Sequence, residues 1–146
     1  MKTNETHGIV GQISRIRELA NLLIENELEK RSIDGVVPAH GPVLRFLFQQ
    51  GEPVPIKDVV DAVGRVKSTV TVMINTLEKY GYVRKAECAK DNRVVRVELT
   101  AKGKKLRKDF EAISGILRDK VYGAMNPLDR QVLVDLLGTI ESNLRR

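Results

Sequence analysis

Residues 67–77 combine two helical patterns. Apolar residues recur there at three- and four-residue steps, which predicts a side that faces a core: Val70, Met73, Ile74 and Leu77. The other positions that we single out form an outward face: Lys67, Ser68, Thr69, Thr71, Val72 and Asn75. Short hydrogen-bonding groups beside valine methyls match the base edges in a DNA major groove. We therefore expect Asn75 to pair with an adenine edge, Val72 to meet a thymine methyl, and Lys67 to bind phosphate.

A second candidate set lies in the segment that follows. Arg93 comes after a predicted tight turn, where its guanidinium could enter a narrow minor groove of negative potential. Asp91 could orient that guanidinium by a charge-assisted hydrogen bond, although an ordinary surface ion pair would use the same two residues. For Lys85 and Lys90 we expect phosphate contacts or simple solvation.

Groups for catalysis or metal binding are scarce. Cys88 is the single cysteine, so no disulfide can form within the chain, and His7 and His40 are the only histidines. These residues do not assemble a metal-ligand spacing, and the glycines do not form a phosphate-binding loop. We therefore expect no enzymatic activity, no metal and no cofactor.

The elements that must position these residues follow from periodicity and from helix and turn signals. The predicted order is an amphipathic helix over Gly8–Arg31, a helix from Pro38 to Gly51, a short helix from Ile56 to Gly64, the helix Lys67–Tyr80, a hairpin, and two helices. The hairpin pairs Val83–Glu87 with residues 94–99 across a turn at residues 90–92, and residues 51–55 form a turn. Thr100 and Asn126–Pro127 are predicted to cap the last two helices.

This order predicts a mainly α protein with a small β-hairpin wing, in other words a winged helix-turn-helix flanked by terminal helices. We expect one domain over residues 1–146. Within it, residues 38–100 form the DNA-binding region, and residues 9–32 and 101–146 form dimerisation helices.

Charge is concentrated beside the predicted wing. Residues 84–108 hold ten basic and three acidic residues, a net charge of +7, so the rest of the chain is near −1 of the total +6. Such a distribution favours a polyanionic partner, although for Lys102–Lys108 we favour solvation because that run opens a helix whose other side packs. Because no apolar stretch is long enough for a signal or a membrane span, we expect a cytoplasmic protein without a membrane partner.

The stretch from Pro38 to Gly103 resembles the MarR family of bacterial and archaeal transcription regulators. The motifs that carry the resemblance are Pro38-Ala39-His40 with Val43, Leu44 and Leu47; Lys67–Thr71 with Leu77–Lys79 and Gly81–Val83; Asp91–Arg93; and Val97–Thr100 with Lys102-Gly103. Many relatives have arginine where this chain has Val72, so an operator sequence cannot be carried over.

The resemblance implies an obligate homodimer on a pseudo-palindromic operator, with a ligand pocket between the dimerisation and DNA-binding regions. The apolar residues of the terminal helices support the dimer independently, because no surface of the same chain is large enough to cover all of them: Ile13, Ile16, Leu23, Leu133, Leu137, Ile140 and Leu144. His40 lies near the implied pocket and could hydrogen-bond an acidic effector, or it could be a satisfied structural histidine.

Two functional hypotheses therefore stand. In the first, the chain is a repressor that a small molecule could release from its operator. In the second, it is a dimeric winged-helix interaction module that does not bind an operator. The basic segment favours the first hypothesis.

Overall fold

The computed structural model describes the backbone of residues 5–88 and 91–146 and, within these, the side chains of residues 6–86 and 94–146. The helices are α1 (Ile9–Lys30), α2 (Gly41–Phe48), α3 (Ile56–Val63), α4 (Lys67–Lys79), α5 (Ala101–Tyr122) and α6 (Pro127–Leu144), and the strands are β1 (Val54–Pro55), β2 (Val83–Cys88) and β3 (Asp91–Leu99). Short 3-10 turns precede α1 and α2. The predicted mainly α winged helix-turn-helix is confirmed.

The boundaries of the helices follow from local chemistry. Gly64 ends α3 with φ +72°, a left-handed conformation that glycine adopts without strain. The Thr100 hydroxyl accepts from the Gly103 amide at 3.1 Å and thereby caps α5, and Asn126 accepts from the Asp129 amide at 2.8 Å and caps α6. Both predicted caps are confirmed.

The small sheet has the order β1-β3-β2 and is antiparallel throughout. β1 corrects the sequence prediction, which assigned residues 51–55 wholly to a turn. Val54 is buried and pairs with Val97, while Pro55 is tolerated because β1 lies at the edge of the sheet. The predicted turn at residues 90–92 also needs correction, because β3 already begins at Asp91.

One hydrophobic core joins α2, α3, α4 and the sheet. Its fully buried side chains come from each of these helices and from the sheet: Val43, Leu44, Val59, Val70, Ile74, Leu77, Val83 and Val97. Aliphatic side chains therefore fix α4 against both its neighbouring helices and the sheet.

The chain divides into two compact units, the first ending at Ile113 and the second comprising Ser114–Arg146. The second unit contains the end of α5 and all of α6. In the described part of the chain, no helix combines the length and the apolar character needed to cross a membrane.

Candidate nucleic-acid interface

Helix α4 has one buried side and one exposed side, as its spacing predicts. Val70, Ile74 and Leu77 are fully buried, whereas Val72 is 64% exposed. Of the other outward residues, Lys67, Ser68 and Asn75 are exposed and Thr69 and Thr71 are half-buried. Ser68, Val72 and Asn75 are spaced by four and three residues, so they lie in one row along the helix.

The first turn of α4 carries no negatively charged side chain. Val66 at the N-cap of the helix makes no side-chain capping hydrogen bond. The unpaired backbone N–H groups of a helix start carry partial positive charge, to which the exposed Lys67 adds a full charge. This end of the helix therefore favours anions.

The end of α4 is fixed by contacts from distant parts of the chain. Thr100 donates from its hydroxyl to the Gly81 carbonyl oxygen at 2.5 Å, and its backbone N–H donates to the Tyr82 carbonyl at 3.0 Å. Gly103 lies so close that a Cβ there would be 2.0 Å from the Tyr82 carbonyl oxygen. The first turn of α5 is thus pressed against the junction of α4 and β2, and Gly103 makes this approach possible.

The loop after α1 reaches the same junction. Tyr82 donates its hydroxyl to the Asp34 carbonyl oxygen at 2.7 Å, and burial, assisted by the Asp34 charge, raises the pKa of that hydroxyl. Gly35 has φ +83°, and a Cβ there would overlap the Tyr80 ring at 2.1 Å. These contacts were not predicted from the sequence. A glycine in the first turn of a helix, as at position 103, is the signal that could have indicated a close approach.

Lys85 lies on β2 beside the exposed row of α4. Its ammonium donates to the Asn75 side-chain oxygen and lies 3.7 Å from Oε1 of Glu78. The backbone N–H of Lys85 also donates to Oε2 of Glu78 at 3.3 Å. The structure therefore brings together two of the predicted residues, Asn75 and Lys85, and adds Glu78, which the sequence analysis did not select.

Other basic residues of the +7 segment are also engaged within the chain. Arg84 pairs with Glu98 at 2.6 Å, and Arg107 contacts both Glu111 at 3.0 Å and the Phe48 carbonyl oxygen at 3.1 Å. Lys102 donates to the Tyr80 carbonyl oxygen at 2.7 Å and lies over the Tyr82 ring. A count of charges along the sequence therefore overstates the cations that this segment offers to a partner.

The wing tip carries the remaining predicted contacts. The side chains of Asp91 and Arg93 and the whole of Lys90 lie outside the described residues. Their predicted roles, a minor-groove contact for Arg93, its orientation by Asp91 and a phosphate contact for Lys90, stay predictions.

His40 is only 4% exposed, and its Nδ1 accepts from the Val37 backbone N–H at 3.0 Å. Burial lowers the pKa of the imidazole, so the neutral form is favoured. This contact gives His40 a structural role at the start of α2. Its predicted contact with an effector stays a prediction.

The terminal helices expose much of their apolar surface. Leu28 is the one buried residue of α1, and α6 has none. Among the predicted dimerisation residues, Ile13, Ile16, Leu137 and Leu144 are exposed, while Leu23, Leu133 and Ile140 are half-buried. Leu19 on α1 and Leu136 on α6 are exposed as well.

Residues 39–103 match a family model described as a winged helix DNA-binding domain. Solved structures with the same fold cover nearly the whole chain. A MarR transcriptional regulator from Methanosarcina mazei Go1 has 25% identity and a TM-score of 0.76 over 95% of this chain and 98% of its own.

Two further similar structures concern DNA binding in their own proteins. MepR of S. aureus, solved as a complex with DNA, has 20% identity and a TM-score of 0.79 over 92% of this chain and 96% of its own. BpsR of Bordetella bronchiseptica, whose DNA binding is regulated by 6-hydroxynicotinic acid, has 23% identity and a TM-score of 0.78 over 97% of this chain and 96% of its own.

The matched family model describes a DNA-binding domain, and the similar structures are those of transcription regulators and not of enzymes. The resemblance predicted from the sequence is confirmed: residues 39–103 match a winged helix DNA-binding domain, and the chain shares its fold with MarR transcription regulators.

Proposed function

We propose that this chain acts in the cytoplasm as a homodimeric repressor that binds a pseudo-palindromic operator. The observation that carries the proposal is the two-sided character of α4, whose buried side is anchored in the core while Ser68, Val72 and Asn75 remain exposed. A helix held in this way can enter a major groove without losing its packing. The uncapped start of α4 and Lys67 would meet a phosphate.

The proposed dimer rests on the exposed apolar residues of α1 and α6. Soluble monomers rarely expose many large apolar side chains on one helix, and a second copy of the chain would cover those of α1 and those of α6. Two-fold symmetry would then place two copies of α4 about one helical turn of DNA apart, roughly 34 Å. This spacing is the reason for expecting a pseudo-palindromic operator.

We further propose that a small molecule releases the chain from its operator. The support for this release is the similarity in fold to BpsR, whose DNA binding responds to 6-hydroxynicotinic acid. His40 is the candidate contact. Its Nδ1 already accepts from the Val37 N–H, so an acidic effector would have to bind the other ring nitrogen, Nε2.

The proposal is tested by a gel-shift titration on the DNA upstream of the chain's own gene at several salt concentrations. We expect affinity to fall steeply with salt because bound phosphates release counterions. Substituting Arg93 by Ala should weaken binding to every sequence, whereas Thr71→Ala should relax preference at particular base pairs. Binding without salt dependence would contradict the proposal, and the absence of any binding would favour the interaction module.

A further inference from the structure

The contact between Asn75 and Lys85 determines which way the Asn75 amide faces. A lysine ammonium donates hydrogen bonds and cannot accept them, so the atom that meets it must be the amide oxygen. The amide NH2 group therefore points away from the wing strand β2. Asn75 stands in the exposed row of α4, so its NH2 group is the part left for a partner.

Glu78 holds Lys85 in this position. Its carboxylate contacts the Lys85 ammonium through one oxygen and the Lys85 backbone N–H through the other. The two opposite charges also cancel locally, which makes Lys85 a poor phosphate ligand. Only 32% of the Lys85 side chain is exposed, in keeping with an internal role.

We propose that Lys85 is a specificity-determining residue that acts through Asn75, making it a reader of bases that accept hydrogen bonds in the major groove. This inference rests on the proposed operator binding. Guanine offers N7 and O6 as acceptors and thymine offers O4, so either base suits an NH2 donor. Adenine places its own N6 amino group beside N7, and pairing with both needs the asparagine oxygen and NH2 group to face the base together. The hydrogen bond from Lys85 turns the Asn75 oxygen toward β2 and so disfavours that arrangement.

The experiment is binding-site selection from a randomised duplex pool, followed by affinity measurements on single-base variants of the selected site. The Asn75→Ala variant first identifies the base pair whose preference depends on Asn75. At that position the wild type should bind guanine or thymine on the order of tenfold more tightly than adenine, a difference of about 1.4 kcal/mol.

Two variants then test the role of Lys85. Lys85→Met keeps the aliphatic stem and removes the ammonium, so the freed amide should shift the preference toward adenine with little change in salt dependence. Glu78→Gln releases Lys85 by a separate route, so it should weaken the same preference and steepen the salt dependence. Glu111→Gln makes the same charge change beside Arg107 on α5 and should leave the base preference unaltered.

The outcomes separate this inference from the function on which it rests. Failure of the wild type to bind any duplex in the pool would overturn both. Normal binding with adenine preferred at the Asn75 position, or with no position dependent on Asn75, would overturn the inference alone. It would also be overturned if Lys85→Met weakened all sequences equally and reduced the salt slope by about one, the signature of a lost phosphate contact.

Discussion

The winged-helix region and the terminal helices use their apolar residues in opposite ways. In the winged-helix region, residues such as Leu44, Ile74 and Leu77 are buried by their own chain. On the terminal helices, apolar side chains remain in solvent, and Leu144 is 79% exposed. The first region therefore buries its own core and leaves one side of α4 exposed, whereas α1 and α6 expose apolar residues that are typical of a core. We interpret these exposed residues as positions that meet a second copy of the chain.

The largest effect is expected from a charge placed on a terminal helix. Ile16→Asp would put an unpaired carboxylate into the proposed interface, where desolvation is costly. We expect the dimer to dissociate and operator affinity to fall on the order of 30-fold, because the loss of a hot-spot residue from an interface costs about 2 kcal/mol. Light scattering after size exclusion and a gel shift measure the two effects.

Ser14→Asp is the matched control for that experiment. It adds the same charge to an exposed position on the other side of α1. A dimer that survives Ile16→Asp with unchanged affinity would show that the apolar side of α1 does not form an interface.

The second prediction compares the two sides of α4. Ile74→Ala should lower the free energy of unfolding by about 2 to 5 kcal/mol because it leaves a cavity in a packed core. Val72→Ala should change stability by less than about 0.5 kcal/mol and weaken operator binding instead. Urea denaturation at one fixed protein concentration measures both, since a dimer's stability depends on concentration. Equal losses of stability in the two variants would contradict the assignment of Ile74 to the core and of Val72 to the proposed DNA-binding side of α4.

The third prediction concerns the support behind α4. Thr100→Ala removes the cap of α5 and the hydroxyl that donates to the Gly81 carbonyl, so we expect a loss of about 1 to 2 kcal/mol. Thr100→Ser keeps the hydroxyl and should retain most of the stability. Thermal unfolding of the two variants checks the difference, and an alanine variant as stable as the serine variant would exclude the proposed support.

The smallest effect is expected from pH. Because burial lowers the pKa of His40 in the folded state, protonation favours the unfolded chain. The contribution of His40 is complete above its unfolded pKa of about 6.5 and is lost as pH falls from there through the lower folded pKa. His40→Asn keeps an acceptor for the Val37 N–H and should remove this part of the acid sensitivity. Denaturation midpoints of the wild type and of His40→Asn at pH 7.5 and 5.5 provide the test. The same pH dependence in both proteins would contradict the contribution assigned to His40.

Local signals were sufficient to predict most of the fold. The α4 periodicity, the glycine after α3 and the caps at Thr100 and Asn126 are all short-range features, and the structure confirms them. β1 was missed because two residues including a proline carry no strand periodicity, and the strand exists only through its pairing with β3.

The sequence predicts which single residues of the candidate site are exposed, but it does not predict the contacts between them. Helical spacing predicts that Asn75 and Val72 face outward, yet nothing in the sequence shows that Lys85 meets Asn75 across two elements. The close contact between Gly35 and Tyr80 joins positions 45 residues apart, so local sequence patterns do not predict it either. Contacts of this kind depend on how elements pack.

We propose that two copies of the chain present α4 to one duplex. Sedimentation of the complex with upstream DNA that binds in the gel shift measures its stoichiometry. We expect two protomers on each duplex, with binding that weakens steeply as salt rises. A single protomer on the duplex, or no complex in dilute salt, would show that the chain does not bind DNA as a dimer.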